Sequence, residues 1–397
     1  MKNPRLWTYS LPLALMLLAP FNILASLGMD IYLPIVPTMP VILGTTPEIV
    51  QLTLTLYMIM LGVGQIIFGP LSDRFGRRPI LLVGALVFAA TSLALAMTTS
   101  AGLFVLLRLV QAAGAAAMLV AVFATVRDVY ADTPESALIY SLMNAMLAFV
   151  PAVGPIAGAL IARYFGWGAI FLALCISALI ALPFVLPKWH ETRQVRKHSA
   201  SADFSLVLKS PYFWTYTLAF GTAMGSFFVF FSTAPRVLIE GAGFSELGFS
   251  VAFATVALAM IGTTRFAKRL VDRWGTTGCV ARGMLLLLLS AGLLGLGEIF
   301  LTPSFLSFIL PMWLVAVSIV FTTSVTANGA LHEFSEMAGT AVALHFCVQS
   351  LIVGIIGTSV IIVFDGGTAW PLIAYTGGMA AITLAALIGL SRYKQRR

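Results

Sequence analysis

Apolar residues in this chain fall in long runs broken by Pro, Gly and charge. A helix needs about 20 apolar residues to cross a bilayer. The runs predict helices at about 12–36, 50–71, 79–97, 102–126, 137–161 and 168–187, then at about 212–234, 247–267, 279–300, 305–326, 338–363 and 370–391. Lys2 and Arg5, the apolar stretch from Leu11 and the small residues Ala25 and Ser26 imitate a secretory signal. Asp30 follows, however, and the run continues to about Val36, so this reads as a retained first helix. The one long polar segment, Lys188 to Ser210, reads as a solvated linker between residues 1–187 and residues 211–397, six helices on each side.

Composition strengthens that picture. Of 397 residues, 60% are hydrophobic and only 10% are charged, against about 25% charged in soluble domains. A water-soluble protein of this size could not clothe its surface with so few charges, which excludes a soluble enzyme, a disordered chain and a nucleic-acid-binding domain. The net charge of +8 does not point to nucleic acid, because the basic residues are dispersed among short interhelical segments. With the N-terminus placed in the cytoplasm, twenty of the 23 basic residues fall on the inner side. Arg163 and Arg236 fall outside and Arg108 lies within a span. Cys175, Cys279 and Cys347 have no paired spacing and read as small core residues.

The halves carry a repeat. Leu71-Ser72-Asp73-Arg74-Phe75-Gly76 follows the second helix, and Leu270-Val271-Asp272-Arg273-Trp274-Gly275 follows the eighth. Duplicated six-helix halves are a transporter architecture. In the first copy, extended to Gly69 and to Arg77 and Arg78, the glycines suit close approach and turning. Asp73 suits a charge-assisted hydrogen bond, and the arginines suit neighbouring helices or anionic lipid.

Gly69-x-Leu71-x-Asp73-Arg74-x-Gly76-Arg77-Arg78 resembles the second-to-third loop signature of the major facilitator superfamily. Arg108-x-x-Gln111-x-x-Gly114-Ala115-Ala116 is similar to the arginine motif of its twelve-helix drug:proton antiporters, with Ala112 where Gly is usual. Gly154-Pro155-x-x-Gly158-Ala159 is similar to their antiporter motif, with Ala159 replacing the last Gly. The segments Ala25–Pro34, Val122–Tyr130 and Phe227–Arg236 resemble the chloramphenicol/florfenicol exporters. The resemblance implies an all-α polytopic fold of two pseudo-symmetric six-helix bundles around a midplane cavity. It also implies export of an amphenicol-like drug in exchange for protons by alternating access. The expected setting is the bacterial inner membrane, with both termini cytoplasmic, lipid around a monomer, and no cofactor, metal or nucleic acid. A broader multidrug antiporter and a transporter-like sensor are the other readings.

Buried charge argues independently. A charge at bilayer depth costs about 2.5–3.5 kcal/mol on insertion scales, so it is seldom kept without function. Asp30 lies roughly 27 Å along the first helix from Pro12 and Arg108 roughly 9 Å along the fourth from Gly102, so the two reach similar depth. We expect both at one cavity, interacting directly or through substrate or water. An interfacial Asp and an Arg bonded to backbone carbonyls are the alternatives. The resemblance leads one to expect an acid at Asn22, eight residues before Asp30; Asn has the shape of a protonated carboxyl but cannot titrate. This puts proton coupling in question while leaving drug binding intact.

Other candidates follow from residue type and position. Gly154, Pro155 and Gly158 suit a hinge or seal, or plain helix packing. Phe227 and Phe231, within a run that includes Phe228 and Phe230, could line a cavity for an aromatic drug. Tyr32, Tyr57 and Met146 are weaker cavity candidates. His345 and Gln349, at i and i+4, form a polar stripe that suits interhelical hydrogen bonds or ligand contact. Arg127 and Asp128 end the fourth helix as a gate or anchor. His332-Glu333-x-x-Glu336 lacks the second His of a zinc-protease helix, and no phosphate-binding Gly-rich loop with Lys occurs.

Overall fold

The computed structural model describes residues 9–130, 135–193, 204–331, 333–334 and 338–396. Lys2, Arg5, Arg196, Lys197, His332, Glu336 and Arg397 lie outside them. The chain divides into two compact units, Met1–Ser199 and Ala200–Arg397. The described residues are mostly helical and contain no strand. Ten helical stretches among them are long and apolar enough to cross a membrane, and a shorter apolar helix covers Phe149–Phe165.

In the first unit the long helices are α1 (Leu11–Asp30), α2 (Pro47–Phe75), α3 (Arg77–Met97), α4 (Ala101–Tyr130), α5 (Ser136–Phe165) and α6 (Gly168–Val185). Helix α1 packs on α4, α5 and α6, while α4 packs on α2 and α3. The sequence predicts a first helix to about Val36, yet α1 stops at Asp30 and a 3₁₀ turn covers Leu33–Thr38. Pro34, Pro37 and Pro40 recur every third residue, and each removes an amide donor from the α-helical ladder.

In the second unit, α7 spans Pro211–Pro235. The 55-residue stretch Glu246–Phe300 is broken only at Gly275, where φ is +66°; its arms are α8 (246–274) and α9 (276–300). Then come α10 (Leu310–Leu331), α11 (Ala338–Leu351, continuing through a π turn to Val363) and α12 (Trp370–Arg396). Local chemistry sets the starts. Pro47 and Pro211 occupy first-turn positions, where their missing amide hydrogen costs nothing. The Ser210 hydroxyl caps α7 by accepting from the Phe213 amide at 3.3 Å.

The radial pattern is that of a lipid-solvated protein. Val41 (87% exposed), Met97, Phe165 and Phe300 lie on the outside, while Asn22, Asp30, Arg108 and Gln111 are inside. Buried polar groups require partners in the fold, whereas exposed apolar groups suit hydrocarbon. The three cysteines are buried free thiols.

Two sequence expectations need correcting. The stretch Gly69–Arg78 is not a loop: α2 runs to Phe75 and α3 starts at Arg77, so Gly76 alone joins them. Nor is the start of the 188–210 segment simply solvated. Trp189 and Thr192 are buried, and the Trp189 ring meets the Phe21 ring edge-on at 6.4 Å.

Candidate functional site

The site grows from the C-terminal end of α1. The last carbonyls of a helix lack partners within it and attract cations. Arg108 of α4 answers this: its Nη1 donates to the Gly28 carbonyl at 2.7 Å and to Gln111 Oε1 at 2.7 Å. Gln111 Nε2 donates to Ser92 Oγ on α3 at 2.7 Å, and Ser92 donates to the Phe88 carbonyl at 2.6 Å. One chain of donors therefore joins α1, α4 and α3. The guanidinium also stands 4.6 Å from the Tyr57 ring centre and 5.0 Å from that of Tyr32, with Phe171 at 6.0 Å. Such contacts contribute about 0.5–2 kcal/mol each. Arg108 is fully buried, yet its Nε and Nη2 have no hydrogen-bond partner. Among the described residues no ion pair joins it to Asp30. The geometry includes the backbone-carbonyl arrangement held open above, enlarged by an aromatic cage.

Asp30 closes α1 and is 4% exposed; Ser26 Oγ, one turn earlier, lies 3.4 Å from its Oδ2. It is the only carboxylate buried among the described residues. Tyr57 donates its hydroxyl to the Ala25 carbonyl at 2.8 Å. Asn22 is fully buried and donates Nδ2 to the Met143 carbonyl of α5 at 3.2 Å, while its Oδ1 has no partner. Met146, one turn along α5, is half-buried.

Helix α5 reaches α1 through its glycines. A Cβ on Gly154 would stand 3.2 Å from both Asp30 Cβ and Leu27 Cδ1, and one on Gly158 would overlap the Ile31 carbonyl. Pro151 and Pro155 lie inside this helix. The arginine motif has similar logic: a Cβ on Gly114 would stand 2.7 Å from the Gly84 carbonyl oxygen, so the glycine permits the α3–α4 crossing. The structure thus brings Asp30, Tyr57, Arg108, Gly154 and Gly158 around the last turns of α1, while Asn22 lies two turns earlier on the same helix, against α5.

At the junction of α2 and α3, Gly76 takes φ +105°, which glycine adopts without strain. Buried Arg77 bonds Asp73 at 2.6 Å and Asp128 at 2.8 Å. Half-exposed Arg127 stands 3.7 Å from Asp128 and 4.0 Å from Asp73, completing an alternating ring of four charges. The Arg74 guanidinium lies 5.3 Å from the Phe75 ring centre, and Arg78 donates to the Leu186 carbonyl at 2.7 Å. Gly69 departs from expectation: nothing lies within 4 Å of where its Cβ would be.

In the second unit, Phe227 and Phe231 belong to a buried cluster. Their ring centres lie 5.8 Å apart, Phe228 lies 5.1 Å from Phe231, and Phe230 stacks on Phe253 at 5.1 Å. His345 Nδ1 lies 2.8 Å from Thr217 Oγ1, between the rings of Phe213, Phe220 and Phe346. Gln349 donates to Ser350 Oγ at 2.8 Å. Both are buried, and His345 Nε2 and Gln349 Oε1 have no partner. Sequence reading missed Ser92, Phe171 and Thr217 as partners. None carries a local signal, since each acts from another helix.

Fold, buried charges and junction motif together define a multi-pass membrane transporter, and the chain belongs to the Major Facilitator Superfamily, whose profile matches residues 18–358. Among its relatives, a chloramphenicol resistance protein of Pseudomonas aeruginosa is 48% identical over 392 residues, covering 98% of this chain and 93% of that protein. A bicyclomycin resistance protein homologue of Haemophilus influenzae is 29% identical, covering 92% of each. The fold is also that of a solved POT family transporter in complex with 5-aminolevulinic acid, with TM-score 0.73, 13% identity and 96% of each chain covered.

Proposed function

We propose that this chain exports amphenicol-type drugs, chloramphenicol or florfenicol, from the bacterial cytoplasm in exchange for protons and so confers resistance. The observation that carries the reading is the 48% identity to a chloramphenicol resistance protein along nearly the whole of both chains. The working arrangement is a monomer in the inner membrane, both termini cytoplasmic, with residues 1–187 and 211–397 as its halves, 188–210 as the link, and alternating access as the mechanism. No cofactor or nucleic acid enters this reading.

The first unit's chemistry supports it. Ionised, Asp30 accepts a hydrogen bond from a drug hydroxyl or amide; protonated, it accepts less well, so drug and proton compete for one group. Arg108 supplies two unpartnered donors and an aromatic-caged cation, held on the Gly28 carbonyl two residues before that carboxylate. Asn22 keeps a donor where a second carboxyl could have titrated, which leaves drug binding and weakens coupling. The Asp73–Arg77–Asp128–Arg127 ring serves as the cytoplasmic gate and exposed Arg74 beside it meets anionic lipid, while Gly154, Pro155 and Gly158 form a hinge. Phe227, Phe231, Tyr32, Tyr57, Met146, His345 and Gln349 are the residues we assign to the drug's surroundings. A broader substrate range is a second reading, favoured by relatives at 28% identity called multidrug resistance protein MdtL, from Salmonella.

The test is drug flux in proteoliposomes under an imposed pH gradient, for the parent chain and for N22D. Chloramphenicol movement that follows the gradient, more steeply in N22D, is expected. Gradient-independent flux in both would overturn antiport, and no flux of either amphenicol would overturn the substrate assignment.

A further inference from the structure

The segment leaving α6 grips the junction between α2 and α3 from both sides. Its centre is Glu191. Oε1 accepts from the Arg77 amide at 2.9 Å and Oε2 from the Arg78 amide at 3.2 Å, the first two amides of α3. Those groups have no partner inside the helix, and the positive end of the helix dipole adds attraction for a carboxylate. Glu191 Oε1 also accepts from the Arg193 amide at 2.8 Å, which folds the segment around the carboxylate.

Neighbouring ties complete a strap. Arg193 Nη1 donates to the Arg74 carbonyl on the last turn of α2. Arg78 donates back to Leu186 just after α6, and Tyr9 donates its hydroxyl to the Lys188 carbonyl at 2.7 Å. Trp189 and Thr192, within the strap, are buried. Gly76 is pressed against the fork, since any Cβ there would overlap Glu191 Oε2. A single residue therefore separates two helices whose facing ends are held by one carboxylate and one arginine of a third segment.

We propose that Glu191 is a positioning residue for transport: its carboxylate fork holds the α2–α3 junction, and with it the Asp73–Arg77–Asp128 charge ring, in one of two arrangements. The physical reason is geometric. Any swing of α3 relative to α2 about Gly76 must break either the fork or the Arg193 tie, because both arms of the fork end on α3 while Arg193 anchors the same segment to α2. Release frees residues 188–193 into the connection to the second unit, so the gate and the length of that connection change together. Glu191 touches neither Asp30 nor Arg108, so its action falls on the rate of the cycle and not on drug affinity.

The turnover readout rests on the proposed export function, while a labelling readout does not. In a C175A/C279A/C347A background, T192C is reacted from the cytoplasmic face with a membrane-impermeant maleimide. With Glu191 present, the buried position reacts slowly; E191A should speed the reaction by about tenfold, the scale of losing one charge-assisted bond. In vesicles, E191A should lower maximal chloramphenicol flux severalfold with KM within about twofold of the parent. E191Q, which keeps one acceptor oxygen, should fall between. Unchanged labelling in E191A, or a raised KM with unchanged maximal flux, overturns the proposal. If the parent chain moves no drug, the export reading fails and the labelling alone decides the strap. Should E191A not reach the membrane, R193A breaks the other tie, and unchanged labelling there overturns the proposal equally.

Discussion

The closest approach in the first unit makes a graded glycine series informative. At Gly158 an alanine Cβ would overlap the Ile31 carbonyl oxygen and stand 2.9 Å from its carbon. That obstacle is backbone, one residue past Asp30, and it cannot rotate away as a side chain would. Restoring ordinary van der Waals contact requires α1 and α5 to part by roughly 1.5 Å. Forcing a methyl group into a packed interface costs about 1–3 kcal/mol, against at most about 1 kcal/mol gained in helix propensity on replacing Gly. We therefore expect G158A to lose about 1–2 kcal/mol, a fall of about 2–8 °C in Tm for a unit of this size. Because the displaced backbone carries Asp30, transport should fall by about tenfold or more, as 1 Å misplacements of reacting groups do. G154A, meeting side-chain atoms at 3.2 Å, should give a smaller loss. G102A, with nothing within 4 Å, should leave Tm unchanged or slightly raised. The assays are thermal unfolding of purified protein and drug flux in vesicles. A G158A variant with parental Tm and flux would refute the claim that close packing of α5 positions Asp30.

Further outcomes follow from the same contacts. R108K should behave nearly as R108A, losing about tenfold or more in flux, because an ammonium lacks the planar guanidinium that lies over two tyrosine rings while one nitrogen holds Gly28 and Gln111 and the others stay free as donors; full flux in R108K would refute this. N22D must carry its proton to keep donating to the Met143 carbonyl, so the variant's flux should fall at alkaline pH more steeply than the parent's. Identical pH profiles would count against a role for position 22. D128N should lower Tm by an amount equivalent to about 1–3 kcal/mol, since buried Arg77 loses a charged partner at 2.8 Å. D73N, whose carboxylate is 63% exposed, should cost less; the reverse order in unfolding curves would refute the burial argument.

The legible parts of the site were those encoded by residue type at a known depth. Asp30 and Arg108 stood out because charge in an apolar run is expensive, and Gly76 and Gly275 because each ends a repeated motif. Both glycines take positive φ, +105° and +66°. Partners were less legible. Gln111 lay within a quoted motif, but its bond to Ser92 on another helix has no periodicity to betray it. Gly69 and Gly76 looked equivalent in sequence, yet one faces open space and the other a carboxylate. Glu191 looked like one polar residue in a polar linker, because nothing local says that a helix end waits beside it.

By itself the sequence determined the all-helical membrane class, the approximate place of each span, the repeat and the scarcity of buried charge. These follow from hydrophobicity and helical rise, which are local and additive along the chain. Only the tertiary structure decided that Arg108 spends its charge on the end of α1 and two tyrosine rings, with no ion pair to Asp30. It also decided that three prolines end α1 at Asp30 and that the linker's first turn clasps α3. Those outcomes depend on which unsatisfied backbone group meets which side chain across helices. That matching is set by packing geometry, where a difference of 1 Å separates a hydrogen bond from none.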